Sequence, residues 1–156
     1  MTMVLDGENS TNGNSQLFFP TSHDECDIWL ERFASSQDGL DPTQTRTVYA
    51  PEATLRFSTY PTIRGATNIE KMVAARFARL DLISHVHRYF DLVGSRMWSV
   101  FDVRYRVKGD PSREEFLVPC ACVFTLMKDG RHKGKISELE VFMDQTVIEE
   151  RMKMLQ

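Results

Sequence analysis

Two histidines and an aspartate on neighbouring β-rich runs are the residues of this chain best placed to move a proton. His85 and His87 lie in His85-Val-His-Arg-Tyr-Phe90, and Asp102 lies in Met97-Trp-Ser-Val-Phe-Asp-Val-Arg-Tyr105. Between them, Gly94-Ser95 is a two-residue hairpin turn signal that pairs Val93 with Arg96. Counting outward along an unbroken ladder places His87 opposite Asp102 and His85 opposite Arg104. Side chains alternate faces with a period of two, so His85, His87, Tyr89, Val100, Asp102 and Arg104 share one face. An imidazole beside a carboxylate is held in one tautomer and can shuttle a proton near neutral pH. On this reading His87 moves the proton, Asp102 orients it, and His85 or a tyrosine polarises a substrate carbonyl. The opposite face of the second run carries Phe101, Val103, Tyr105 and Val107, which reads as core. Whether the polar face meets a pocket or water is therefore left open by the pattern.

Other polar groups could join such a site. Arg56 could hold a carbonyl or carboxylate by charge-assisted hydrogen bonds, but Phe57 has the competing parity and only one can point inward. Tyr49, Tyr60 and Tyr89 are candidate hydroxyl donors. Glu138 and Glu140 share a face of the last long strand, either projecting inward or forming a solvated row. Trp29 and Phe33 read as packing groups at the pocket floor. Cys120 and Cys122 read as small core hydrophobes, too strained by their spacing for a mutual disulfide. No Cys-x-x-Cys or spaced histidine cluster accompanies them, so neither a metal nor another cofactor is expected.

These groups need elements to position them. Residues 1–16 are rich in Asn, Ser, Thr and Gly and read as a disordered leader, followed by one domain over 17–156. Ser22 and Glu25 form a capping box for a helix over 22–36 with the apolar stripe Cys26, Trp29, Leu30 and Phe33. Asp41-Pro42 starts a short second helix. A strand over 53–60 and a second strand or extended link over 61–64 lead to a third helix over 67–80, with Thr67 and Glu70 as its capping box. Strands follow over 84–93, 97–107, 115–128 and 135–144, then a short helix near 147–154. Helices early and strands late indicate an α+β layer structure. Long antiparallel strands coil, and helices packed at one end leave a cone-shaped interior suited to a small molecule.

Composition limits the partners. With 156 residues, 42% apolar content and 26% charged content, the chain reads as a soluble globular protein. A net charge of −3 argues against nucleic acid. No apolar run approaches membrane-spanning length and no signal-peptide pattern opens the chain, so no membrane partner and a cytoplasmic address are expected.

The element order, Tyr49-Ala-Pro-Glu-Ala-Thr-Leu-Arg-Phe57 leading to Ile63-Arg-Gly65, and Gly134-Lys-Ile-Ser-Glu-Leu-Glu-Val-Phe-Met-Asp144 together resemble the NTF2-like superfamily. Within it, the chain is similar to the SnoaL-like polyketide cyclases, ketosteroid isomerase and scytalone dehydratase. The resemblance implies a cystatin-like α+β barrel, a curved mixed sheet wrapped around helices. Residue by residue the match is partial. The ketosteroid isomerase base would fall at Arg56 or Phe57 and is absent. Asp102 stands where limonene epoxide hydrolase has an aspartate, but its partner positions are Val100 and about Val141. His85 or His87 matches one scytalone dehydratase histidine, and Asp102 replaces the other.

The functional expectation is a cofactor-independent isomerase, cyclase or dehydratase of a small apolar polyketide, terpenoid or alkaloid intermediate. An enzyme of this kind calls for a cavity of roughly 300 Å³ or more. The rival readings are a binding or association module with a plugged cone, or a small structural subunit of an oxygenase. Fold alone does not choose among them. A homodimer is expected, because an open curved sheet leaves an apolar face to cover.

Overall fold

The computed structural model describes residues 17–156, and the expected leader lies outside them. The first helix, α1, runs His23–Asp38. Ser22 Oγ accepts the Glu25 N–H at 3.2 Å, while the Glu25 carboxylate reaches back to the Thr21 N–H. Cys26, Trp29, Leu30 and Phe33 are buried, as the stripe requires. Asp41 caps a 3-10 turn over Pro42–Gln44 by accepting from the Thr43 N–H, and a one-turn helix α2, Thr45–Val48, continues from it.

Strand β1 spans Tyr49–Phe57 and begins earlier than expected. Proline lacks the ladder donor, yet Pro51 is tolerated because the β1 register shifts between Tyr49 and Thr54. After the two-residue strand β2, Ile63–Arg64, helix α3 runs Ala66–Phe77. Its N-cap is Gly65 with no side-chain cap bond, so the expected Thr67–Glu70 capping box does not form. Glu70 instead pairs with Arg46 Nε at 2.7 Å. Strands β3 (Leu80–Val93), β4 (Arg96–Val107), β5 (Glu115–Leu126) and β6 (Ile136–Met143) follow, then α4, Thr146–Met154.

The sheet order is β2-β1-β6-β5-β4-β3. All neighbours pair antiparallel except β1 with β6, so the sheet is mixed. The α+β architecture expected from the sequence is the one observed. Helix α1 packs along the inner face of β3. An aromatic cluster fills the space between α1 and the sheet: the Phe33 and Phe124 ring centroids are 4.9 Å apart, and Trp29 and Phe124 are 5.0 Å apart.

One loop residue fixes the depth of α1. Gly134 has φ +85°, and a Cβ there would lie 2.3 Å from the main-chain carbon of Phe18. No side chain fits that space. The Gly134 carbonyl accepts the Trp29 indole N–H at 2.9 Å, tying the middle of α1 to the β5–β6 turn.

The β3–β4 hairpin begins as the turn chemistry dictates. Val93 pairs with Arg96, and the register continues unbroken to Tyr89 opposite Val100. There it shifts. Arg88 is an extra residue on β3, so His87 lies opposite Phe101, Val86 opposite Asp102 and His85 opposite Val103. A β-bulge of this kind places two residues of one strand against one of the other and moves everything beyond it to the opposite face. The expected pairs, His87 with Asp102 and His85 with Arg104, therefore do not exist. Both histidines join the inner face with Phe101, Val103 and Tyr105, and Asp102 points outward.

Candidate active site

His85 is the polar group of β3 set deepest in the cone, its side chain 12% exposed. Its ring lies edge-on to Phe101 at 5.8 Å and to Phe33 at 6.2 Å. Asp38, the last residue of α1, is its partner. Nδ1 and Asp38 Oδ1 are 2.7 Å apart, and the His85 backbone N–H donates to the same carboxylate at 3.1 and 3.2 Å. The carboxylate thus grips both the ring and the main chain. A carboxylate accepts, so Nδ1 carries the proton and Nε2 is left as the ring nitrogen able to take one; this tautomer is assigned from the hydrogen-bond network.

His85 helps to line a cavity of about 60 Å³ inside the cone. Phe33 and Phe57 also line it. Three further polar groups do so, Gln37 from α1, Arg76 from the last turn of α3 and Tyr105 from β4. Arg76 Nη2 donates to the Tyr105 hydroxyl at 3.2 Å, and the hydroxyl lies 3.5 Å from Met143 Sδ. Burial pushes the Tyr105 pKa up to about 12, against the opposing pull of Arg76. The group is a hydroxyl throughout the physiological range. Cys120 and Cys122 form part of the wall, their sulfurs 3.6 Å apart. Their mutual hydrogen bond and burial hold the Cys122 thiol well above its usual pKa, so it is a poor nucleophile at neutral pH.

His87 makes a second pair on the inner face. Its Nε2 lies 2.7 Å from Asp27 Oδ1, and the other oxygen of Asp27 lies 3.9 Å from His23 Nδ1. This pair sits nearer the start of α1 and does not line the cavity. Among the described residues, His23, Asp24 and Asp27 have donor atoms within 4.8 Å of one another, but His23 and Asp24 are exposed and all three stand apart from the cavity.

The remaining residues singled out from the sequence fall elsewhere. Asp102 pairs with Arg88 on the outer face at 3.3 Å. Arg104 is also outside, 3.6 Å from Glu115. Tyr89 is 61% exposed, because the ladder between the bulge and the turn keeps it outward. Arg56 is exposed on the outer face, since Leu55 takes the inward parity of β1. Trp29 is fully buried as a structural donor to Gly134 and does not line the cavity. Glu138 and Glu140 line a shallow outer groove with Arg96 and Trp98. Tyr49 is buried away from the cavity, and exposed Tyr60 hydrogen-bonds Glu149.

Four residues of the two histidines' surroundings escaped the sequence reading. Asp27 and Asp38 are eleven residues apart, about three helical turns, and so fall on one stripe of α1. That was a visible signal, but a helix ending at Ser36 leaves Asp38 out. Arg76 is four residues after Met72 and three after Val73, a charge at an apolar-stripe position of α3. Tyr105 was assigned to the core on the correct face and not recognised as polar lining.

No protein-family model and no curated protein sequence matches the chain. Solved structures do match. A protein described as a SnoaL-like polyketide cyclase from Jannaschia sp. CCS1 superposes with a TM-score of 0.66 at 16% identity, over 81% of this chain and 90% of its own. A protein with a ketosteroid isomerase-like fold from Catenulispora acidiphila, solved with trimethylamine, gives 0.63 at 17% identity, over 73% and 83%. TerC, co-crystallised with polyporic acid, gives 0.62 at 14% identity, over 80% and 98%. The chain has the NTF2-like fold.

Proposed function

We propose that this protein is an acid–base enzyme of the isomerase, cyclase or lyase type, with His85 as the proton-transferring group and Asp38 as its positioning partner. One observation carries the reading: a histidine fixed through Nδ1 at 2.7 Å by a helix-end carboxylate, at the wall of the cone's interior. His85 Nε2 would remove a proton from carbon next to a substrate carbonyl, leaving the electron pair on the carbonyl oxygen as an enolate. Return of the proton at another carbon gives isomerisation, and attack of the enolate carbon on a second carbonyl gives cyclisation. The Tyr105 hydroxyl faces the same space and can donate to the developing oxyanion. The SnoaL-like neighbours support a carbonyl-rich intermediate of polyketide type. At about 60 Å³ the interior is well below the volume expected from the sequence, and smaller than a cavity of order 150 Å³ that accepts benzene. Only the reacting end of such a molecule would enter it.

That small volume also favours a second reading, an association module whose cone serves packing. The outer sheet face, with Trp98 and Phe142 exposed, supports the homodimer we propose under either reading. Sedimentation as a monomer would count against the dimer.

Carbon-bound hydrogen exchange in deuterium oxide separates the two readings. A panel of enolisable ketones and diketones is incubated with the full chain and followed by proton NMR. Exchange above background that disappears in His85→Ala is the expected result. Exchange that persists unchanged in that variant, or none across the panel, removes the enzymatic reading.

A further inference from the structure

We infer that Arg76 is an anion-binding residue and that the ligand of the cone carries a carboxylate or an equally acidic hydroxyl. This deepens the reading above, on which it rests for the position of the reacting carbon, but it stands on separate observations. The Arg76 guanidinium lies over two aromatic faces, 5.0 Å from the Phe57 centroid and 5.3 Å from that of Tyr105. Its one hydrogen-bonded partner among the described residues is the neutral Tyr105 hydroxyl. It is half-buried, yet no carboxylate of the described residues lies within ion-pair distance of it.

Three arginines elsewhere do meet carboxylates, whereas half-buried Arg79, just past α3, donates to the Met152 carbonyl. Arg46 meets Glu70, Arg106 meets Glu115, and Arg151 meets Asp110 and Glu114. Glu149, which lines a neighbouring surface pocket with Tyr60 and Met143, hydrogen-bonds Tyr60 instead. A partly desolvated cation is favoured by a countercharge, and a guanidinium offers two parallel donors matched to a carboxylate. The two rings flank the guanidinium, and apart from the Nη2 bond to Tyr105 its N–H groups have no partner among the described residues. Arg76 and His85 line the same cavity from α3 and β3. A ligand bound by its anionic end at Arg76 would extend its body toward Nε2 of His85. The narrow interior limits that body to a short chain or one end of a larger acid.

The probes are butanoate and its neutral isostere butanamide, titrated into the full-length ¹⁵N-labelled protein at fixed ionic strength. Butanoate should shift resonances of the cavity residues saturably, and butanamide should bind roughly tenfold more weakly or worse, as expected for losing a charged hydrogen bond. Arg76→Met should weaken butanoate by a similar factor and leave butanamide unchanged. Arg76→Lys, which keeps the charge without the fork, should recover part of the loss. Equal binding of acid and amide to the wild-type chain would overturn the inference without recourse to any variant. So would butanoate affinity undiminished in Arg76→Met. Acid preference without proton exchange would leave the anion site standing and sink the enzymatic reading; exchange without acid preference would do the reverse.

Discussion

Two histidines on one strand each meet a carboxylate from one helix at 2.7 Å, and their surroundings make them different instruments. Asp38 is 29% exposed and receives both the ring and the backbone N–H of His85, which lines the cavity. Asp27 is 40% exposed, has His23 nearby as a second partner, and holds a ring that the cavity does not reach. Hydrogen-bond length alone would rank the pairs as equals. What separates them is whether the free ring nitrogen can meet a substrate out of bulk water, where a positioned base acts most effectively.

The comparison can be broken at its common support. Phe101 lies beneath both rings, 5.8 Å from His85 and 6.3 Å from His87, and is fully buried. Phe101→Ala should lower unfolding free energy by about 3–5 kcal/mol in a denaturant titration. A loss below about 1 kcal/mol would mean that the site collapses readily around the missing ring. Next in size is the catalytic contrast. His85→Ala should reduce turnover by ~100-fold or more, while His87→Ala should leave it within about twofold. The opposite ranking would transfer the proton-transfer role to the second pair. Asp38→Asn should reduce turnover on the order of tenfold or more, because the amide can present its NH₂ to Nδ1 and favour the wrong tautomer. Asp27→Asn should leave the rate unchanged in the same assay. Smallest of all is Asp102→Ala, which removes a surface pair with Arg88 and should change stability by less than about 1 kcal/mol. A measurable rate loss in that variant would contradict the outward placement of Asp102.

Much of this arrangement was legible in the residue order. The Gly94-Ser95 turn set the hairpin, and the ladder followed the predicted pairing as far as Tyr89. The stripe of α1 gave its buried face, and the α+β layering followed from the order of elements. The failure began at Arg88. An extra residue in a strand leaves no compositional mark when it is a charged side chain that suits an exposed position as well as any neighbour. From that residue onward every inferred partner was wrong by one, although the histidines themselves remained the right residues to watch. Their true partners come from α1, and the docking of a helix on a sheet depends on packing that no local pattern encodes. Arg56 shows the same limit in miniature: parity on β1 was decided by Ala53 and Leu55 meeting the core, and the basic group facing the cavity came from α3.

The parallel pairing of β1 with β6 has a consequence for how the chain reaches this state. Tyr49 waits for Ile136, and Leu55 for Leu139. During synthesis, β1 has only the two-residue β2 as a strand partner until β6 has left the ribosome. Contacts so distant along the chain form slowly, because a long loop has to be ordered before they return any stabilisation. A nascent chain stalled before β6 would carry an unpaired strand edge, and with it the risk of joining another chain's sheet instead of its own.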